Sequence, residues 1–117
     1  MVRADGGVEL LTSYQPGEGT PWPFYRGLGF VETGEVEEGE VLAFGRRFDP
    51  QVFHTDVEAA RRTEYGGLIA SGWHTAALTM RLLVESDFRP AGGIVGAGFD
   101  ELRWPLPVRP GDRLQVR

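Results

Sequence analysis

The chain has 117 residues, of which 41% are hydrophobic and 25% charged, values typical of one globular domain. Its 17 acidic and 12 basic residues give a net charge of -5, which excludes nucleic-acid binding through a broad basic face. There are no cysteines, which excludes disulfides, thiolate nucleophiles and cysteine-based zinc sites. No apolar run approaches the roughly 18 residues of a membrane span. The N-terminus lacks the apolar core of a secretory signal, so we expect a cytoplasmic protein.

Residues 15–29, QPGEGTPWPFYRGLG, are rich in proline and glycine and predict a loop or extended arm. Three aromatic residues in this segment are too apolar for a free tail: Trp22, Phe24 and Tyr25. We therefore expect them to pack on this domain or on a partner.

Residues 30–36, FVETGEV, predict a short strand. Residues 37–47 follow with a helical pattern, although Gly39 and Gly45 lower the helix propensity. The side chains expected on the inner face of this helix are apolar: Val41, Leu42 and Phe44.

Residues 48–56 have the sequence FDPQVFHTD, in which Asp and Pro favour a turn. Thr55 is followed three residues later by Glu58, which is the pattern of a capping box. We therefore expect a short helix over DVEAARRT, residues 56–63. The glycine pair at residues 66–67 predicts a break after it.

The strongest helical pattern lies in residues 68–86, LIASGWHTAALTMRLLVES. Apolar residues recur there at spacings of three and four, which predicts a long helix with one wide apolar face. The expected members of that face are Leu68, Ile69, Trp73, Ala76, Ala77, Met80, Leu83 and Val84. Residues 94–104 then predict a strand, and RLQVR at the C-terminus begins another. A long buried helix among strands is typical of an α+β fold.

Asp49 and His54 are candidates for an acid–base pair, because a protein site can bring the pKa values of both residue types towards neutrality. The spacing alone is more typical of a turn-forming Asp and a structural His, so both interpretations stay open. Asp56 is most simply an acid in the first turn of a helix. His74 is most simply a structural or interface residue. The two histidines lack a metal-binding pattern, and we expect no metal site.

Gly72 lies in GGLIASGWHT, at the start of the predicted buried helix. A backbone N–H at a helix N-terminus can bind an oxyanion, and glycine allows a close approach. The alternative is that Gly72 only allows a helix to pack against a strand. Ser71 lacks the G-x-S-x-G surroundings of a nucleophilic serine, so we expect it to make a minor polar contact.

Together, FDPQVFHTD, AARRTEYGGLIASGWHTAALTMRLLVE and FDELRWPLPVRPGD resemble the MaoC-like dehydratase family, also called (R)-specific enoyl-CoA hydratases. The resemblance implies a hot-dog fold, an antiparallel sheet wrapped around a long central helix, and a dimer with active sites near the subunit interface. Residues 1–29 lie outside the similarity, so we divide the chain into an arm, 1–29, and a domain, 30–117. The family continues with further strands after VRPGD, so we expect this domain to be incomplete at its C-terminus.

The resemblance implies that Asp49 and His54 are catalytic and that the N–H of Gly72 forms the oxyanion hole. The reaction implied is the hydration of a trans-2-enoyl-CoA, or the reverse dehydration, with a CoA thioester as substrate and no cofactor. Partial burial is then expected to raise the pKa of Asp49 and to lower that of His54. The residues expected to contact the substrate are Ser71, Trp73 and Phe53, and for Trp73 and Phe53 core packing stays open as the alternative. The candidates for contacts with the CoA phosphates are Arg61, Arg62, Arg81 and Arg103.

Two other functions stay open. One is a non-catalytic hot-dog module that binds acyl-CoA or completes a partner subunit. The other is a hot-dog thioesterase, which would more often need a carboxylate on the central helix, where the core-facing positions offer none. As partners we expect a second copy or another hot-dog chain, and neither nucleic acid nor a membrane.

Overall fold

The structure is a computed structural model, and it describes residues 2–4, 8–14, 32–87, 91–93, 95, 98 and 101–116. The helices and strands are β1 (Val2–Ala4), β2 (Val8–Tyr14), β3 (Glu32–Glu35), α1 (Glu38–Phe48), α2 (Val52–Thr55), α3 (Val57–Ala60), α4 (Gly72–Glu85), β4 (Glu101–Leu102) and β5 (Arg113–Val116).

The strands form one antiparallel sheet in the order β3-β5-β2-β1-β4. β5 has a neighbour on each side, and its Leu114 and Val116 are almost fully buried in the hydrophobic core. The N–H of Val36 donates to the carbonyl of Asp112, and the N–H of Gly111 donates back to the carbonyl of Val36. These two hydrogen bonds align the end of β3 with the beginning of β5.

The core lies between this sheet and α4, with α1 packed beside them. Leu82 of α4 lies directly over Gly34 of β3, where an added Cβ would be 3.0 Å from Leu82 Cδ2. The buried apolar residues of this core come from α1, α3, α4, β5 and the connections: Val36, Val41, Ala60, Leu68, Ala70, Leu83, Val108, Leu114 and Val116. The α+β architecture and the strand at residues 32–35 therefore agree with the sequence.

The long helix was predicted to begin at residue 68, but α4 begins at Gly72 and ends at Glu85. Residues 68–71 are instead extended. The N–H of Ile69 donates to the carbonyl of Phe53, and the N–H of Ala70 donates to the carbonyl of Val108. These hydrogen bonds to distant parts of the chain replace the bonds of a first helical turn.

The predicted apolar face of α4 is also wrong in part. Leu83 is buried as predicted, but Trp73, Met80 and Val84 are exposed. The buried residues of the helix are His74, Thr75, Thr79, Leu82 and Leu83. The two threonines can be buried because each hydroxyl donates to a carbonyl of the preceding turn.

The predicted capping box is wrong. Asp56, not Thr55, is the N-cap of α3, since its side chain accepts a hydrogen bond of 2.9 Å from the N–H of Ala59. Thr55 is the last residue of α2, and its hydroxyl donates to the carbonyl of Gln51. The helix that follows is also shorter than predicted and ends at Ala60.

The predicted arm of residues 1–29 contains β1 and β2, and β2 pairs with β5. Residues 2–4 and 8–14 are thus part of the sheet, whereas the Pro/Gly-rich segment 15–29 lies outside the described residues. The division into an arm and a domain stays a prediction. Of the strand predicted over residues 94–104, the structure describes β4 as a two-residue strand.

Candidate active site

The extended residues 68–70 hold together the segments that carry the candidate catalytic side chains. On one side, Ile69 is hydrogen bonded to α2 through its N–H and its carbonyl. On the other side, Ala70 is hydrogen bonded to Val108 at a distance of 2.7 Å. Ser71 and the N-terminus of α4 follow immediately, so this short segment places the beginning of α4 beside α2.

Asp49 and His54, predicted as a pair, lie side by side in the structure. Asp49 ends α1, and His54 lies within α2. The Nε2 atom of His54 is 3.2 Å from Oδ2 of Asp49. The imidazole is buried, whereas about a fifth of the Asp49 side chain is exposed, at 22%. The carboxylate therefore forms the solvent-facing half of the pair.

The Nδ1 atom of His54 indicates where the imidazole carries a hydrogen. Nδ1 lies 2.7 Å from the carbonyl oxygen of Ile69, which can only accept a hydrogen bond. Nδ1 therefore carries a hydrogen atom and donates a hydrogen bond to the carbonyl of Ile69. Nε2 faces Asp49, and it is a donor in the imidazolium and an acceptor in the neutral imidazole, the form that a general base requires.

Asp49 accepts two further hydrogen bonds. Gln51 Nε2 donates to Oδ1 and Ser71 Oγ donates to Oδ2, each at 2.7 Å. The hydrogen bonds from Gln51 and then Ser71 lower the pKa of the Asp49 carboxyl, and they outweigh burial, which acts in the opposite direction. The expectation of a raised pKa for Asp49 is therefore wrong, because these donors stabilise the ionised form.

A cleft of about 490 Å³ opens beside His54. Its walls are mostly apolar, and its lining includes Phe53, Tyr65, Ile69, Gly72, Trp104 and Leu106. Phe53 contacts both His54 and Tyr65 edge to face, with ring centroids 4.6 Å and 5.0 Å apart. A cleft lined mainly by apolar residues, with a few polar side chains such as His54 and Gln51, is typical of small-molecule sites.

Gly72 lies in the cleft wall as the first residue of α4. Its N–H therefore has no acceptor within the helix. The indole of Trp104 covers the glycine so closely that an added Cβ would lie 2.6 Å from Cε2 of the ring. Glycine is needed here for packing, and the same position leaves a helix N-terminal N–H beside the cleft.

The other predicted substrate contacts divide into two groups. Phe53 lines the cleft as expected. Ser71 is 1% exposed and directs its hydroxyl to Asp49. Trp73 does not line the cleft; it is exposed, and its ring meets Trp104 edge to face at 5.6 Å.

The four arginines proposed for the CoA phosphates do not line the cleft. Three of them are ion-paired with glutamates on the surface: Arg61 with Glu58, Arg81 with Glu85, and Arg103 with Glu101. Arg62 is exposed.

Sequence reasoning missed the contacts of Gln51 and Arg109. The Arg109 guanidinium donates to the carbonyl of Tyr65 and so supports one wall of the cleft. Gln51 could have been suspected, because it follows Asp49 within a Pro-containing turn. The role of the Ile69 carbonyl has no signal in the sequence, because any residue supplies a carbonyl.

Within the described part of the chain, no cluster of three or more His, Asp or Glu side chains has the arrangement of a metal site. Likewise, none of the helices in the described ranges is both long enough and apolar enough to cross a membrane.

The chain belongs to the MaoC-like domain family, because the family model described as "MaoC like domain" matches residues 25–117. The similar solved structures include the crystal structure of the MaoC-like dehydratase from Rhodospirillum rubrum, which is 57% identical in sequence. That match has a TM-score of 0.67 and covers 74% of this chain and 59% of the other. The predicted hot-dog fold is thereby confirmed.

Two further proteins are similar in sequence. The uncharacterised protein YdeM of Bacillus subtilis is 34% identical over 80 residues, which is 68% of this chain and 57% of YdeM. Protein MaoC of Klebsiella aerogenes is 34% identical over 64 residues, which is 55% of this chain and 18% of that protein. The chain thus spans less than two thirds of the length of each of these relatives.

Proposed function

We propose that this chain hydrates a trans-2-enoyl-CoA, or dehydrates the corresponding 3-hydroxyacyl-CoA, with Asp49 and His54 as the catalytic pair. The observation that carries this proposal is the placement of His54 Nε2 3.2 Å from Oδ2 of Asp49, with His54 in the lining of the cleft. Membership of the MaoC-like family supports a hydratase or dehydratase.

The pair is suited to binding one water molecule. His54 lines the cleft, and its Nε2 lies 3.2 Å from Oδ2 of Asp49. In the proposed mechanism a water molecule in the cleft donates a hydrogen bond to Nε2 of neutral His54, which holds its oxygen beside the substrate. We propose this water as the nucleophile.

In the proposed hydration, the water oxygen bonds to the β-carbon while Nε2 of His54 takes a proton from it. The π bond between the α- and β-carbons breaks, and its electrons form an enolate on the thioester. The imidazolium then returns the proton to the α-carbon, so that one water is added overall. Ionised Asp49 stabilises the transient positive charge on His54. No electrons leave or enter the substrate, so the proposed reaction needs no redox cofactor.

The enolate oxygen needs a hydrogen-bond donor that is already in place. We propose the N–H of Gly72, because it lines the same cleft and lacks an acceptor within its helix. Negative charge on the thioester oxygen grows in the transition state, so such a donor favours the transition state over the ground state.

The test is to follow the loss of enoyl absorbance as the purified chain hydrates crotonyl-CoA. We expect turnover by the parent and a loss of at least about 100-fold in Asp49→Asn and in His54→Ala, since each removes one half of an acid–base pair. Asp56→Asn is the matched control. It makes the same change at an N-cap that Asn also satisfies, so activity should persist.

Turnover that survives both Asp49→Asn and His54→Ala would show that the pair is not catalytic. Release of free CoA thiol without hydration would identify a thioesterase instead. Binding of crotonyl-CoA and of longer enoyl-CoA thioesters by a folded parent, with neither reaction, would favour the non-catalytic module.

A further inference from the structure

Ser71 is the most completely buried polar side chain that contacts the catalytic pair. It is 1% exposed and immediately precedes α4, at the point where the extended residues 68–70 end. Its hydroxyl donates to Oδ2 of Asp49, the same oxygen that faces Nε2 of His54. Ser71 therefore touches the pair from the protein side, away from the cleft.

The contact between Asp49 and His54 depends on how the carboxylate is held. Nε2 of His54 lies 3.2 Å from Oδ2 of Asp49, so a rotation of the carboxylate would separate the two atoms. A donor that is fixed to Oδ2 restricts that rotation and offsets part of the negative charge.

Gln51 holds the other carboxylate oxygen, but its situation differs. The Gln51 side chain is exposed, so water can replace its amide when it is removed. The Ser71 hydroxyl lies where water has almost no access, so nothing of equal strength replaces it.

We propose that Ser71 is a positioning residue, which keeps Oδ2 of Asp49 beside Nε2 of His54 and stabilises the charge of the carboxylate through its hydrogen bond. The consequence for catalysis rests on the proposed function, whereas the effect on Asp49 itself does not. This role differs from the substrate contact that the sequence suggested for Ser71.

The first experiment is an NMR titration of the carboxyl carbons in aspartate-labelled protein, comparing the parent with Ser71→Ala. We expect the pKa of Asp49 to rise in the variant, because a donor to the ionised form is lost. Ser86→Ala is the matched control: it removes another buried hydroxyl, which donates to a carbonyl at the opposite end of α4. The Asp49 titration should be unchanged in that control.

If Ser71→Ala fails to fold, as judged by circular dichroism, Ser71→Cys replaces it with a side chain of similar size and weaker donor strength. The pKa of Asp49 should then rise by less, but still measurably. A folded variant of either kind in which Asp49 titrates as in the parent overturns the proposal.

The second experiment separates positioning from substrate contact by enoyl-CoA kinetics. We expect Ser71→Ala to lower kcat by about tenfold or more with little change in KM, as expected for the loss of a hydrogen bond to a charged group. A raised KM with unchanged kcat would assign Ser71 to substrate binding and overturn the proposal. If the parent itself has no hydratase activity, the proposed function fails, and the titration alone decides the role of Ser71.

Discussion

Two histidines of equal burial illustrate what a single residue contributes to the site. His54 and His74 are each 5% exposed. His54 is bonded through Nδ1 to Ile69 and faces Asp49 through Nε2. His74 stacks on Phe44 with ring centroids 4.9 Å apart, and its Nδ1 finds no hydrogen-bond partner among the described residues. The partners of a histidine, more than its burial, therefore distinguish a candidate catalyst from a packing residue.

His74 should make the stability of the protein depend on pH. Burial lowers its pKa below the ordinary value of 6.5, although the charge of Glu40 acts in the opposite direction. As the pH falls below 6.5, the unfolded chain takes up a proton that folded His74 resists, so the free energy of unfolding falls. This loss continues until the pH reaches the lowered pKa of the folded state, and above 6.5 His74 has no such effect.

The measurement is urea unfolding of the parent and of His74→Phe at about pH 7 and about pH 5. Phenylalanine keeps the ring contact with Phe44 and removes the titrating group. We expect the variant to lose less free energy of unfolding than the parent between the two pH values. An equal loss would show that His74 is not responsible. The titration of Asp49 does not affect this comparison. Because its pKa is lowered, protonation of Asp49 reduces the free energy of unfolding only at pH values near or below 3.8.

At the scale of elements, the site depends on how closely α1 approaches α2. The contact is made at Gly45, where an added Cβ would lie 2.6 Å from the carbonyl oxygen of His54 and 2.8 Å from its Cβ. Because nonbonded heavy atoms do not approach so closely, any side chain at Gly45 would push α2 away from α1. His54 would then move relative to Asp49, which ends α1.

We expect Gly45→Ala to lower the free energy of unfolding by about 1–3 kcal/mol, a typical cost of overpacking. If the proposed function is correct, it should also impair hydration. Gly39→Ala is the matched control in the same helix, because no atom lies within 4 Å of its added Cβ. Alanine there should stabilise α1 by about 0.5–1 kcal/mol. Urea unfolding measures the free energy of unfolding of both variants. Equal effects of the two substitutions would contradict the close approach of α1 to α2 at Gly45.

At the scale of the whole molecule, α4 leaves an apolar stripe in contact with water. Its most exposed large members are Trp73, Met80 and Val84, and Trp73 and Val84 are each more than half exposed. Their spacing places them on one side of the helix. The family resemblance implies a dimer, and we propose that a second copy of the chain covers this stripe.

Val84→Lys should therefore weaken association, because a charge in an apolar interface must be desolvated. Glu85→Gln changes the net charge by the same amount on an exposed neighbour and should leave association intact. Sedimentation at several concentrations measures the effect. If the parent stays monomeric, or if its dimer is unaffected by Val84→Lys, then this stripe does not form a dimer interface.

The sequence by itself determined the side chains that do the proposed chemistry and the local elements that carry them. Asp49 and His54 lie within one short segment, so their proximity could be predicted. The strand at residues 32–35 and helix α1 also follow from local pattern. The proximity of Asp49 to His54 and the positions of these elements could be predicted because the interacting residues are neighbours in the chain.

The tertiary structure alone decided where α4 begins, which face it buries and how the pair is held. Hydrogen bonds to Phe53 and Val108 keep residues 69 and 70 out of the helix. The proton position on His54 depends on a carbonyl 15 residues away, and the anchoring of Asp49 depends on Ser71, 22 residues away. Such contacts join segments that have no periodic relation in sequence. Only the folded chain therefore brings Asp49 to Ser71 and His54 to the carbonyl of Ile69.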